Sequence, residues 1–100
     1  MLALGAMTFT KRLHVGIMSG EITQTLRIWK NLRAKVGGRY PFAAGGEIEV
    51  TRVREIELSD VTPDMARRQG FAGLVDLLKI AKHGSGQRVF LIDFEYHADA

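Results

Sequence analysis

The sequence predicts an α+β domain in which a small, curled, mixed β-sheet closes toward a barrel and is flanked by short helices. Three observations carry this prediction. Apolar residues alternate between a four-residue and a two-residue period along the 100 residues, the marks of helices and strands. Glycine pairs at Gly37-Gly38 and Gly45-Gly46 punctuate the stretches between them. The longest strand-like stretch changes phase in its middle, as a bent strand does.

The first element is a short helix. Thr8 or Thr10 can cap it, Phe9, Leu13 and Ile17 recur every four residues, and Ser19-Gly20 ends it. From Thr23 to Trp29 the period becomes two. Leu26 and Ile28 face one way; Thr23, Thr25, Arg27 and Trp29 face the other. Lys30 to Gly46 reads as loops around a short extended piece at Arg39 to Phe42. Glu47 to Leu58 is a strand whose apolar positions Ile48 and Val50 fall out of step with Val53, which requires a bulge or bend. Such bends are how a small sheet curls.

Asp60 to Asp64 starts a helix, with Thr62 as cap, Pro63 at the first helical position and Asp64 beside the positive end of the dipole. Gly70 breaks it. A second helix then carries an apolar stripe at Phe71, Leu74, Leu78 and Ala81, supported by Val75 and Leu77. His83 to Gln87 is a turn. Arg88 to Tyr96 is the last strand, and its run Val89-Phe90-Leu91-Ile92 is apolar enough for both faces to be covered, so it is expected at the centre of the sheet.

Length and composition place the chain as one folded domain, residues 1–100, with 46% hydrophobic residues and only 2 prolines. Met1 to Ala6 read either as an extension ahead of Met7 or as an edge strand. That apolar stretch lacks the basic leader and length of a signal peptide, no later segment approaches a membrane span, and the cytoplasm is the default location. Absence of cysteine excludes disulfides and thiolate metal sites. His14, His83 and His97 are spread over a helix, a turn and the tail, so no metal site is expected. Three short helices are too few for a doubly wound nucleotide fold, there is no glycine-rich strand-to-helix fingerprint, and no cofactor is expected. The net charge of +3 favours anionic partners.

The candidate site centres on Gly20 to Arg27. Arg27 can hold a phosphate or carbonyl through two hydrogen bonds or stack on a base, and the strand period sets it beside Thr25. The competing assignment for Arg27 is an ion pair with Asp60 or Asp64. Trp29 shares their side and offers either a stacking surface or core packing. Arg12 faces this cleft or solvent. Lys30, Arg33, Lys35 and Arg39 can form a basic rim that steers a phosphate backbone, or a solvated face. Phe9, Phe71 and Phe90 are read as core residues.

Taken in order, these features resemble the ASCH domain family of the PUA-like superfamily. The resemblance runs from about Met7 to Tyr96. It rests on Phe9 and Arg12, on Ile17-Met18-Ser19-Gly20 leading to Thr23, Thr25 and Arg27, and on Lys35-Val36-Gly37. Further marks are Val53-Arg54-Glu55-Ile56, Leu58-Ser59-Asp60-Val61-Thr62, Gly70-Phe71 and Val89 to Phe94. It implies a PUA-like barrel with a cleft between the first helix and the sheet, suited to RNA, a nucleotide or a modified nucleoside, with Arg27, Thr25, Thr23, Arg12, Gln69 and Trp29 as candidate ligand contacts.

From Met7 to Arg27 the chain closely resembles one branch of that family, the short bacterial amidohydrolases that deacetylate acetylated cytidine. In that branch a lysine, a threonine and a glutamate are catalytic. Thr25 matches the threonine, but Ile22 stands at the lysine position and Gln69 at the glutamate position. Neither can move a proton, so the resemblance implies binding without the family's amide hydrolysis. The alternatives are a hydrolase using Thr25, on an acylated nucleoside or on RNA, and a protein-partner module or homodimer formed through Val75, Leu77 and the first residues.

Overall fold

The computed structural model describes residues 7–81 and 86–98. The N-terminal stretch 1–6, with its two expected roles, lies outside them, as does most of the turn expected at 83–87. Four strands, β1 (Gln24–Trp29), β2 (Arg39–Pro41), β3 (Glu47–Ile56) and β4 (Arg88–His97), form one curled, open sheet in the order β1-β4-β3-β2. Three short helices accompany it: α1 (His14–Ser19), α2 (Pro63–Arg68) and α3 (Leu74–Ala81). The α+β class is as expected. The mixed sheet is not, because every neighbouring pair is antiparallel. The register supplies the reason. Ile56 at the end of β3 pairs with Val89 near the start of β4, so the excursion through α2 and α3 returns the chain to the end it left.

β4 lies between β1 and β3, as its four consecutive apolar residues require, and Val89, Phe90, Leu91 and Ile92 are all buried. The phase change in β3 is a register shift between Val50 and Arg52. With Thr51 unpaired, Ile48 and Val50 stay on the same face as Val53 and the strand bends. Register and the two-residue period assign Leu26, Ile28, Val89 and Leu91 to one face of the sheet, and Thr25, Arg27, Trp29, Phe90, Ile92 and Phe94 to the other. Both faces contribute to one buried core, which also takes in Leu13, Ile17, Ala66, Phe71 and Leu77.

The helix ends follow from their caps. Thr10 enters a single 3-10 turn, Lys11–Leu13, without a side-chain cap, so Phe9 precedes the first helix instead of lying on it. Thr62 accepts from the Met65 N–H at 3.2 Å, and Pro63 occupies the first turn of α2. Gly70 ends that segment with φ of 95°. It is also the one side-chain-free position its neighbours permit, since an added Cβ would lie 2.6 Å from Leu13 Cδ2 and 2.8 Å from Ile22 Cδ1. The stripe on α3 follows the sequence expectation except at Val75, with Leu74 and Leu78 half-buried against the core. Leu77 and Ala81 are its buried residues, whereas Val75 is 70% exposed and cannot support the core. Among the described residues no helix is long and apolar enough to cross a membrane.

Candidate functional site

A cavity of about 320 Å³ opens beside β1, the outer strand of the sheet. The chain entering α1 supplies one wall through Thr8, Phe9, Thr10 and Leu13; β1 supplies Thr25, Leu26 and Arg27; Phe71 and the last turn of α3, with Leu77, Lys79, Ile80 and Ala81, supply the rest. Thr25, Arg27, Leu77 and Ala81 are buried, whereas Thr8, Lys79 and Ile80 are exposed. The buried part of the lining therefore sets a guanidinium and a hydroxyl among apolar side chains, and an ammonium stands at an exposed position.

Arg27 is the unusual residue of the site. It is 6% exposed, and among the described residues it forms no salt bridge. Asp60 and Asp64, the carboxylates expected as its partners, are engaged locally: Asp60 accepts from the Glu57 N–H, and Asp64 pairs with Arg67. Arg27 Nε donates to Thr25 Oγ1 at 3.2 Å, and Nη2 donates to the Thr8 carbonyl. The Phe9 ring lies 4.8 Å from the guanidinium carbon and the Trp29 ring 6.0 Å. Removal from water pushes the Arg27 pKa down to about 10, which leaves it charged at neutral pH but uncompensated.

The chain matches no protein-family model, no curated protein and no solved structure. The residues must therefore speak for themselves, and several sit differently from expectation. Thr25 and Arg27 do come together. Trp29 is buried against Arg27 and Phe90, so it is a packing residue with no face open for a base. Arg12 does not line the cavity. It pairs with Asp76 at 2.7 Å and lies over Phe71, fastening the first turn to α3. The Ala72 N–H and then Arg12 hold the Asp76 carboxyl below the usual carboxylate range. Thr23 is exposed and its carbonyl accepts from the Phe94 N–H. The basic rim does not gather. Lys30, Arg33 and Lys35 are exposed outside the lining, and Arg39, on β2 at the far side of the sheet from β1, is held by Glu47 and Glu49.

Ile22 and Gln69 also lie outside the lining. Ile22 is a wedge: a Cβ at Gly16 or Gly70 would come within 2.6 or 2.8 Å of its Cδ1. An aliphatic side chain there joins α1 to the turn after α2. Gln69 is 1% exposed and donates to Gln24 Oε1 at 3.2 Å, while Gln24 Nε2 donates to Asp93 Oδ1 at 3.0 Å. Asp93 can only accept, so it fixes the direction of both amides. That chain leaves Gln69 Oε1 buried without a donor among the described residues.

The sequence reading missed other features. Phe9 and Phe71, taken as core, also line the cavity, as do Thr8 and Thr10, which the sequence marks only as helix caps, and Lys79 and Ile80, which no period or motif marks. The histidines were judged too dispersed to join carboxylates, yet Glu49, Glu95 and His97 bring their ligand atoms within 4.8 Å of one another. Sheet register explains this group. Glu49 and Glu95 are direct cross-strand partners, a like-charge pairing that costs stability, and His97 at 2.8 Å and Arg39 at 3.3 Å from Glu49 offset it.

Proposed function

We propose that the protein binds a nucleotide, a modified nucleoside or single-stranded RNA through the Arg27 cavity, as a PUA-like domain of the ASCH type, without hydrolysing an amide. One observation carries the reading: Arg27 lines the cavity, buried, with no carboxylate partner among the described residues. A buried cation is costly unless something compensates it, and an acceptor arriving from outside does so. With Phe9 over one face of the guanidinium, an acceptor reaches Arg27 in its plane by hydrogen bonds. The resemblance of Ile17 to Arg27 to the ASCH pattern supports the choice of ligand class.

The surroundings of Thr25 favour binding over turnover. Its hydroxyl accepts from Arg27, and no carboxylate or imidazole lines the cavity among the described residues, whereas a threonine nucleophile requires an activating base. Titration with short single-stranded RNA and a panel of nucleosides and nucleotides, followed by NMR, tests the reading. Binding that is lost in Arg27→Ala supports it; the absence of binding by every class at millimolar concentration rejects it.

A further inference from the structure

We propose that the group Arg27 recognises is a nucleotide phosphomonoester, so that the preferred ligand is a nucleoside monophosphate and not a neutral nucleoside. This rests on the nucleotide-binding reading above and narrows it. A guanidinium has five N–H donors, and only Nε and one Nη2 hydrogen are engaged, by Thr25 and Thr8. The remaining donors lie in the guanidinium plane, the geometry that receives two oxygens of one oxyanion. A neutral carbonyl would satisfy donors but leave the charge uncompensated.

A second cation, Lys79, lines the same cavity from the last turn of α3. Two cations with no lining carboxylate among the described residues match a dianion better than the single charge of an internal phosphodiester. Thr25 adds a directional contact. Because its oxygen already accepts from Arg27 Nε, its own proton is available to a phosphate oxygen, and Thr8 and Thr10 also line the cavity. The volume of about 320 Å³ stands at the lower end of the roughly 300–1,000 Å³ of small-ligand sites. That suits one nucleotide inside the cavity. Phe71, Leu13 and Ile80 give the sugar and base apolar contact.

The phosphomonoester can be that of a free nucleotide or of an RNA end, and calorimetric titration separates them. The probes are the four nucleosides, their 5′-monophosphates, inorganic phosphate, and one RNA hexamer with either a 5′-phosphate or a 5′-hydroxyl. The expected result is that at least one monophosphate binds about tenfold or more tightly than its nucleoside, a difference of one decade in Kd. Lys79→Ala, at an exposed position, is expected to reduce that ratio without unfolding the protein, and Arg27→Lys to remove it. A preference for the 5′-phosphorylated hexamer assigns the site to RNA ends as well; its absence alongside tight monophosphate binding assigns it to free nucleotides. Nucleosides binding as tightly as monophosphates overturn the phosphomonoester while leaving the nucleoside reading in place. Inorganic phosphate binding as tightly as any monophosphate overturns the nucleotide specificity, and silence from every probe removes both.

Discussion

Replacing Arg27 with methionine separates a ligand-binding arginine from a structural one, because only the structural role predicts a large loss of stability. Methionine fills a similar stem volume and keeps contact with the Phe9 and Trp29 rings, while removing the charge. Burial pushes the Arg27 pKa down to about 10, and at about 1.4 kcal/mol per tenfold change in proton affinity this is a penalty of about 3 kcal/mol. Against it stand two hydrogen bonds, which from a charged donor are worth about 1.5 kcal/mol each. The cation–π contact that is lost and the sulfur–aromatic contact that replaces it are each worth about 1 kcal/mol and nearly cancel. The balance is near zero, so Arg27→Met is expected to melt within about 4–8 °C of the parent, the shift that about 1 kcal/mol produces in a domain of this size. Urea melts at constant m-value report the change.

The pH dependence carries a second signature of the same substitution. A cation whose folded pKa lies below its unfolded value carries its full penalty at all lower pH and sheds it as pH rises through the folded value. The difference between parent and variant is therefore constant around neutrality, and the parent gains on the variant as pH rises above about 10. Destabilisation by more than about 2 kcal/mol with nucleotide binding retained would refute the reasoning, because breaking a buried pairing costs about 3–5 kcal/mol and would identify Arg27 as a structural partner.

Three further outcomes are expected. Gly16→Ala destabilises the fold because the new Cβ meets Ile22 Cδ1 at 2.6 Å; Ile22→Val added to it recovers part of the roughly 1–3 kcal/mol lost to overpacking, and simple additivity in urea melts would contradict the wedge. Gln69→Glu places a carboxylate at a site only 1% exposed and costs several kcal/mol at neutral pH. Since burial raises a carboxyl pKa, acidification should recover part of that loss, and a variant as stable as the parent at neutral pH would show that the site is hydrated. Asp76→Asn removes a carboxylate held below its usual range by the Ala72 N–H and Arg12. The parent's advantage is full above that range and closes as pH falls through it, so a gap that persists in acid would point to another cause.

Much of the scaffold is legible in the residues because the signals are local. The two-residue period of Thr25 to Trp29 sets Thr25 beside Arg27, the phase slip between Val50 and Val53 marks the bulge, and Thr62-Pro63 marks the start of α2. The run Val89 to Ile92 marks the central strand because covering both faces leaves no alternation to hide. What is not legible depends on how distant segments meet. Lys79 and Ile80 reach the cavity only because the end of α3 settles against β1, and Phe9 becomes a wall because the first turn begins two residues after it. Arg12 and Arg39 look free in sequence, yet Asp76 and the Glu47–Glu49 pair claim them. The approach of His97 to Glu49 and Glu95 depends on the register of β3 with β4, which no single segment states. Ile22 shows the limit of a motif: read as a lost lysine, it is also the side chain that α1 and Gly70 are packed around.

The most direct measurement of the central claim is the NMR signal of the Arg27 Nε–H during titration with a nucleoside monophosphate. The account predicts a saturable shift at Arg27 that tracks shifts at the Thr25 and Lys79 amides and gives one common Kd. An Arg27 signal that stays fixed while other regions of the protein respond would place the ligand elsewhere and contradict it.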